Sequence, residues 1–373
     1  MTGSFVLFGA DYWSTMLDLD GSMGEGGGQI LRTSLALSMV TGTPVRIRNI
    51  RARRSRPGLM RQHLTAVQAA AEVSGARIEG AEVGSREIVF APGEVRPGDY
   101  RFDIGTAGSS TLILQTVLPA LLHAGGPSRV TIAGGTHNPQ APPFDYLDRV
   151  FLPVLRRMGV RIEATLERPG FYPAGGGRFS VTIDPPERLA GLELLERGEI
   201  RSRRAVAILS RLPRHVAERE LDEVARETGW DSASLEVREV DSPGPGNILL
   251  LEVESAAATE IFAGFGEKRV RAEEVAGRAL REMRRYLDAG VPVGEHLADQ
   301  LLLPFALAGA GAFATLPLSL HAITQIELIP RFLKVRIEVA ERETGNVVVR
   351  VVSPSPGIEI PGYPRPSHPG LPA

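Results

Sequence analysis

The order of predicted elements repeats along this chain, and the repeat constrains the fold more than any other feature. Residues 17–90 are predicted as strand, helix, strand, helix, strand, strand, and the same order returns from Asp103 to Ile183. Gly75 and Gly159 end corresponding helices, as glycines after a helix often do. Each unit can bury two helices on one face of a small sheet. We therefore predict an α/β (α+β) fold, with a large domain of repeated βαβαββ units around a shared core.

The later part of the chain departs from this repeat. A more degenerate third copy is predicted in 186–285, where no glycine loop precedes the segment Arg201–Leu212, and a fourth begins near Ala272. The break at Asp184-Pro185-Pro186 marks a boundary. We expect an inserted smaller α/β domain at 186–285 and a large domain of 17–185 plus 286–352. Residues 353–373 are rich in Pro and Gly and are predicted to form a flexible tail.

Several classes of protein are excluded by what the chain lacks. It contains no cysteine, so disulfides, thiol catalysis and cysteine metal sites are ruled out. No charge-free apolar run is long enough for a membrane span. The first fifteen residues have neither a basic start nor a small-residue cleavage site, so we expect no signal peptide and a cytoplasmic protein.

A block of arginines points to an anionic ligand. Between Arg46 and Arg61 there are seven arginines and no acidic residue. Guanidinium groups bind phosphate by charge and by paired hydrogen bonds. The alternative is that arginine is simply the default cation of a chain that has two lysines.

Glycine-rich turns precede predicted helices in both clear repeats. Gly24-Glu25-Gly26-Gly27-Gly28 lies between a strand and a helix, and 105–110 repeats the device. Such turns let backbone N–H groups converge on an anion at a helix N-terminus. We expect them to meet the arginine loop and the stiff 134–143 loop at one end of the assembly. Glu25 beside such a turn is predicted to bind a divalent cation, Mg²⁺ or Mn²⁺; a plain turn with a solvated Glu25 is the alternative.

The histidines give no zinc pattern and there is no nucleophile-elbow motif, so a zinc enzyme and a serine hydrolase are disfavoured. His63, His137 and His215 are candidates for phosphate contact. His321 lies in a nearly uncharged segment, and by its spacing alone it would more often be a core or capping histidine than a nucleophile.

Several motifs together resemble the RNA 3′-terminal phosphate cyclase family. They are Gly24-Glu-Gly-Gly-Gly-Gln-Ile-Leu-Arg32, Arg56-Pro-Gly-Leu-Met-Arg-Gln-His-Leu64, Phe171-Tyr-Pro-Ala-Gly-Gly-Gly177 and Gly294-Glu-His-Leu-Ala-Asp-Gln300. Pro213–Glu220 and Gly266–Arg269 also match, and the resemblance covers about residues 17–352. It implies the same repeated fold with one inserted domain.

The resemblance also implies a reaction. His321 attacks the α-phosphate of ATP, the AMP passes to an RNA 3′-phosphate, and the neighbouring 2′-hydroxyl closes a 2′,3′-cyclic phosphate. Neutral imidazole suits this role as nucleophile and leaving group. The ATP-binding residues are then Gln115, His296, Leu297, Ala298, Asp299 and Gln300. The phosphate- and RNA-binding residues are Arg32, Arg54, Arg61, Gln62 and His63, and the partner is an RNA with a 3′-terminal phosphate.

Three positions depart from the family pattern as we expect it. His296 stands where a tyrosine is usual, Gln325 where an asparagine is usual, and Leu320 where a cysteine is usual. None removes the nucleophile. Two alternatives remain: a non-catalytic, RNA-binding relative that acts in ribosome assembly, and an enolpyruvyl-transferase-like enzyme built from similar repeats.

Overall fold

The first two repeats form sheets of identical topology. The computed structural model describes residues 16–354. The elements of the first unit are β1 Leu17–Asp20, α1 Gly28–Thr41, β2 Val45–Arg48, α2 Arg61–Ser74, β3 Arg77–Glu79 and β4 Ile88–Ala91. The second has β5 Asp99–Asp103, α3 Ser110–Leu121, β6 Ser128–Gly134, α4 (144–157), β7 Arg161–Arg168 and β8 Gly177–Asp184. In both sheets the strand order is first, second, fourth, third. Helix α4 contains a π-helical segment, Leu147–Phe151.

A third unit is interrupted by the inserted domain. It begins with the short strand β9, Glu193–Leu194. The insert follows as β10 Ile200–Ser210, α5 His215–Thr228, β11 Leu235–Glu239, β12 Gly246–Ser255, β13 Thr259–Phe265 and α6 Ala272–Ala289. The unit resumes with α7 Glu295–Ala308, β14 Ala310–Thr315, α8 Leu320–Leu328, β15 Arg336–Glu341 and β16 Val347–Val352. Its order, β9-β14-β16-β15, matches the other two units.

The predicted α/β class, with repeated βαβαββ units and a smaller insert, is confirmed, but the prediction of four copies is wrong. The insert has the order β11-β10-β12-β13 and is a different α/β unit. Helix α6 packs on α5 and on β12 and β13, so it completes the insert and does not open a fourth copy. The local pattern of helix, glycine and two strands could not reveal which sheet each strand joins.

The strand pairing of β9 and the end of α6 can be compared with the predicted domain limits. Strand β9 pairs with β14, so residues 193–194 lie in a sheet of the large domain. Helix α6 extends past 285, to Ala289. The limits at 186 and 285 remain a prediction. Of the predicted tail, 353–373, only Ser353 and Pro354 fall within the described residues.

The helices of the three units pack against one another in one core. Helix α1 contacts α2, α3 and α8, and α7 contacts α8. Leu31 and Leu35 share one side of α1, Leu37 lies on another side, and all three are buried, as expected of a helix that is covered on more than one side. The insert has its own core between its sheet and helices α5 and α6. This arrangement brings the N-terminal ends of α1 and α8 together.

Helix α2 begins later than the sequence predicts. The apolar spacing of the sequence predicts a helix from Pro57 to Ser74, but the structure starts it at Arg61. Gly58 has φ +83°, its N–H donates to the Ile50 carbonyl over 2.8 Å, and Leu59 N–H donates to Ser85 over 2.9 Å. These bonds hold the segment as an extended connection. Within residues 16–354, no helix has the length and apolar character that crossing a bilayer requires.

Candidate active site

The first glycine turn is fixed against the helix that carries His321. Gly24 and Gly26 have φ +49° and +65°, a region that favours glycine. A methyl group on Gly24 would lie 2.0 Å from Thr324 Oγ1, and Glu25 N–H donates to that same hydroxyl over 3.1 Å. No side chain caps the N-terminus of α1 that follows. The uncapped N–H groups at the start of α1, beside α8, can therefore bind an anion.

His321 lies in the first turn of α8 with one ring nitrogen held. Its Nδ1 is 2.5 Å from Gln29 Oε1, on the first turn of α1. A carboxamide oxygen only accepts, so Nδ1 carries the proton and the Nε2 lone pair is available. Partial burial, with the positive charges of Arg32 and Arg54, lowers the pKa of the ring below its usual 6.5. Near pH 7 the ring is neutral and nucleophilic.

Cationic groups surround this ring. Arg32 is half-buried on α1, and loss of solvation lowers the pKa of its guanidinium only to about 10, so it stays charged. Arg54 forms an ion pair with Glu25, and both side chains lie close to Gly27. His63 Nε2 would lie 2.6 Å from a methyl group on Gly28, and burial with Arg32, Arg51 and Arg54 lowers its pKa to about 3. His63 is therefore a neutral member of a positively charged site.

Glu25 is the only predicted metal ligand, and its surroundings allow that role. Its carboxylate is almost fully buried, and apart from the ion pair with Arg54 neither oxygen makes a hydrogen bond of normal geometry. Among residues 16–354, no three carboxylates or histidines cluster as metal ligands. A cation at Glu25 would thus need phosphate oxygens and water as its other ligands, which is the usual manner of Mg²⁺ with nucleotides.

The ends of the other loops complete a cleft of about 1320 Å³. Gln62 Oε1 accepts from Ser109 N–H over 2.6 Å, which joins α2 to the 105–110 turn. Asn138 Nδ2 donates to the Ala107 carbonyl over 2.7 Å, which joins that turn to the 134–143 loop. The expected meeting of four loops at one place is confirmed, since all four contribute to the walls of this cleft.

Helix α7 divides its predicted ATP-binding residues between the cleft and the core. His296, Asp299 and Gln300 line the cleft, as does Gln115 of α3. Leu297 and Ala298 are buried in the core, because residues one and two positions after 296 point to the opposite side of a helix. Their side chains are not on the cleft wall, so contact there would use backbone atoms only.

Charged neighbours set the protonation of this wall. Glu282 of α6 lies 2.9 Å from His296 Nε2 and raises the pKa of that imidazole. Burial raises the pKa of Asp299 to about 7, against the opposing effect of His296 and Arg32. Gln325 Nε2 donates to the Asp299 carbonyl over 2.5 Å and so links α8 to α7.

Arg61 does not line the cleft. Its side chain is exposed at the start of α2, outside the residues that wall the cleft. Two residues that position others were not predicted from the sequence: Gln29, which holds His321, and Thr324, which holds the glycine turn. Gln29 stood within a quoted motif, but nothing in the local pattern paired it with a histidine 292 residues away.

Comparison with known proteins adds evidence of relationship. A sequence model of the family described as RNA 3′-terminal phosphate cyclase matches residues 23–339. A protein named RNA 3′-terminal phosphate cyclase from Koribacter versatilis is 54% identical over 88% of this chain and 93% of its own length. Proteins of the same name from Ectopseudomonas mendocina and Pseudomonas fluorescens are 53% and 56% identical, over 86% and 87% of this chain and 94% of each relative.

A solved structure is far less similar. The enolpyruvyl transferase NikO from Streptomyces tendae aligns with 92% of this chain and 49% of its own chain, at 14% identity and a TM-score of 0.36. That score is too low to support a conclusion about fold or function. The evidence for three repeated units is therefore the strand order in the structure of this chain itself.

Proposed function

Because the chain belongs to the RNA 3′-terminal phosphate cyclase family, we propose that it converts an RNA 3′-terminal phosphate to a 2′,3′-cyclic phosphate at the expense of ATP, through AMP bound to His321. The observation that carries this proposal is the bond from His321 Nδ1 to Gln29, which leaves Nε2 free in a cationic cleft. A core histidine would have neither a free nitrogen nor phosphate-binding groups around it.

The first step forms a bond from His321 Nε2 to the α-phosphorus of ATP and breaks the bond to the bridging oxygen, so pyrophosphate leaves. Charge accumulates on the phosphate oxygens, and Arg32, Arg54 and the N–H groups at the start of α1 are positioned to offset it. Gln29 favours the tautomer that attacks, and it accepts a stronger hydrogen bond once the ring is positively charged.

The second step transfers the AMP to an oxygen of the RNA 3′-phosphate, which releases the imidazole of His321. In the third step the neighbouring 2′-hydroxyl loses its proton and attacks the terminal phosphorus, and AMP leaves. The nucleoside part of ATP is assigned to the wall that contains Gln115, His296, Asp299 and Gln300. A bound Mg²⁺ or Mn²⁺, held by Glu25, would neutralise phosphate charge.

The test is incubation with ATP labelled at the α-phosphate, with and without RNA that ends in a 3′-phosphate. We expect an acid-labile protein adduct in the wild-type chain, none in His321→Ala, and an ordinary amount in the control His215→Ala, whose side chain is exposed outside the cleft. Added RNA should discharge the adduct and yield a cyclic end. A wild-type protein that never becomes labelled would contradict the proposal and favour a non-catalytic relative.

A further inference from the structure

Tyr172 is an exposed aromatic side chain on the wall of the cleft. Its relative exposure is 66%, and among residues 16–354 no other Phe, Tyr or Trp side chain is exposed. It lines the same cleft as His321 and Arg54. An exposed tyrosine on a cleft wall offers both a flat aromatic face and a hydroxyl to a ligand that enters the cleft.

The loop that carries Tyr172 is held in place by its neighbours. Phe171 is buried and stacks on the His137 ring, with centroids 5.1 Å apart. His137 Nε2 lies 2.9 Å from Asp145 Oδ2, and Gly175 N–H donates to the Phe171 carbonyl over 2.7 Å. The exposed ring therefore extends from an anchored loop, and a ligand that stacks on it does not have to order that loop.

A continuous line of contacts joins this loop to the His321 site. A methyl group on Gly175 would lie 2.7 Å from Ala107 Cα, so the loop rests on the 105–110 turn. The 105–110 turn packs against Gln62, because a methyl group on Gly108 would lie 3.0 Å from Gln62 Cβ. Gln62 precedes His63, which contacts Gly28 at the start of α1. An RNA with its terminal phosphate at His321 can follow this wall toward Tyr172.

We propose that Tyr172 stacks on a nucleobase of the RNA upstream of the 3′-terminal phosphate. Every base has a flat π-face, so stacking on tyrosine binds single-stranded RNA with little regard to sequence. The cationic groups near His321 recognise the end group, and Tyr172 then orients the strand behind it. This inference rests on the proposed function and adds a second RNA contact to it.

The experiment compares Tyr172→Ala, Tyr172→Phe and Tyr172→Trp with the wild-type chain on a short RNA that ends in a 3′-phosphate. Adenylylation by ATP without RNA is the internal reference in each variant, and Val83→Ala, an exposed apolar position outside the cleft, is the matched surface control. We expect Tyr172→Ala to raise KM for RNA about 5- to 100-fold relative to that reference, while Phe and Trp retain binding.

A scan with one abasic nucleotide at each position of the RNA locates the contact. With the abasic nucleotide at the stacked position, the RNA should bind the wild-type chain as weakly as intact RNA binds Tyr172→Ala. Combining that abasic RNA with Tyr172→Ala should weaken binding no further. An unchanged KM in Tyr172→Ala, or a loss in adenylylation equal to the loss in RNA use, would overturn the inference. A wild-type chain that forms no adduct with ATP would instead overturn the proposed function.

Discussion

At the scale of single residues, the proposed role of His321 as a nucleophile depends on one hydrogen bond. Gln29 fixes the proton on Nδ1 without adding charge, and partial burial together with nearby cations lowers the pKa of the ring. The imidazole must be neutral to attack, so the adenylylation rate should rise with pH through a pKa below 6.5 and then stay level.

Gln29→Glu tests this arrangement. A carboxylate next to Nδ1 favours the imidazolium, so the pKa of His321 should rise and the acid limb of the profile should move to higher pH. Single-turnover adenylylation measured from pH 5 to 9 checks the shift, with Gln68→Glu, exposed on α2, as the control. Coincident profiles for wild type and Gln29→Glu would show that Gln29 does not govern the ring.

Glu25 gives a second prediction at this scale. If its buried carboxylate holds a cation, Glu25→Gln should raise the Mg²⁺ or Mn²⁺ concentration at half-maximal adenylylation by about tenfold or more. The control is Glu87→Gln, which also removes a carboxylate from an arginine, Arg46, but on the surface. Identical metal titrations for Glu25→Gln and wild type would remove Glu25 from the metal site.

At the scale of elements, the glycine turns were predictable because nearby residues determine their backbone conformation. Left-handed backbone and a following helix N-terminus both follow from nearby residues, and the structure bears out the turns at 24–28 and 105–110. The third repeat was predicted only in part, because its later elements were interpreted as a fourth copy and its first strand was missed. Its first strand has two residues, and the remaining elements follow after the whole insert, so only the pairing of β9 with β14 reveals it.

Gly24→Ala and Gly75→Ala separate backbone strain from the active site. Both glycines have positive φ, +49° and +60°, so alanine should destabilise each variant by about 1 kcal/mol. A methyl group at Gly75 meets nothing within 4 Å, whereas at Gly24 it collides with Thr324. Gly24→Ala should therefore also lose adenylylation, while Gly75→Ala keeps it.

Thermal unfolding and adduct formation measured on both variants check this prediction. The stability losses should be similar or larger at Gly24, and the difference should appear in the rate of adenylylation. Equal adenylylation by the two variants at equal folded fraction would mean that the contact between the 24–28 turn and α8 does not position His321.

At the scale of the whole molecule, the insert supports the cleft and is not a separate appendage. Glu260 of β13 accepts from Gly294 N–H over 2.6 Å, at the residue that begins α7. Glu282 of α6 reaches His296 on the same helix. The sequence suggested an insert but could not show that it holds the N-terminus of the helix that carries Asp299, because these contacts join separate units.

The burial of Glu260 makes the free energy of unfolding depend on pH between 4.5 and about 8. Burial raises the pKa of Glu260 from 4.5 to about 8, so the folded chain keeps a proton that the unfolded chain loses above pH 4.5. The stability from this group is present at low pH and declines as pH rises from 4.5 toward 8, by at most about 1.4 kcal/mol per pH unit. Other groups also titrate, so the difference between wild type and a matched variant isolates Glu260.

Glu260→Gln supplies that variant, because an amide oxygen can still accept from Gly294 N–H and does not ionise near neutral pH. The wild-type advantage in thermal unfolding midpoint over Glu260→Gln should be largest at pH 5 and should shrink steadily toward pH 8. Glu343→Gln, at an exposed position, should run parallel to wild type across the range. A Glu260→Gln curve that is also parallel to wild type would show that the carboxyl is not held protonated at the contact between the insert and α7.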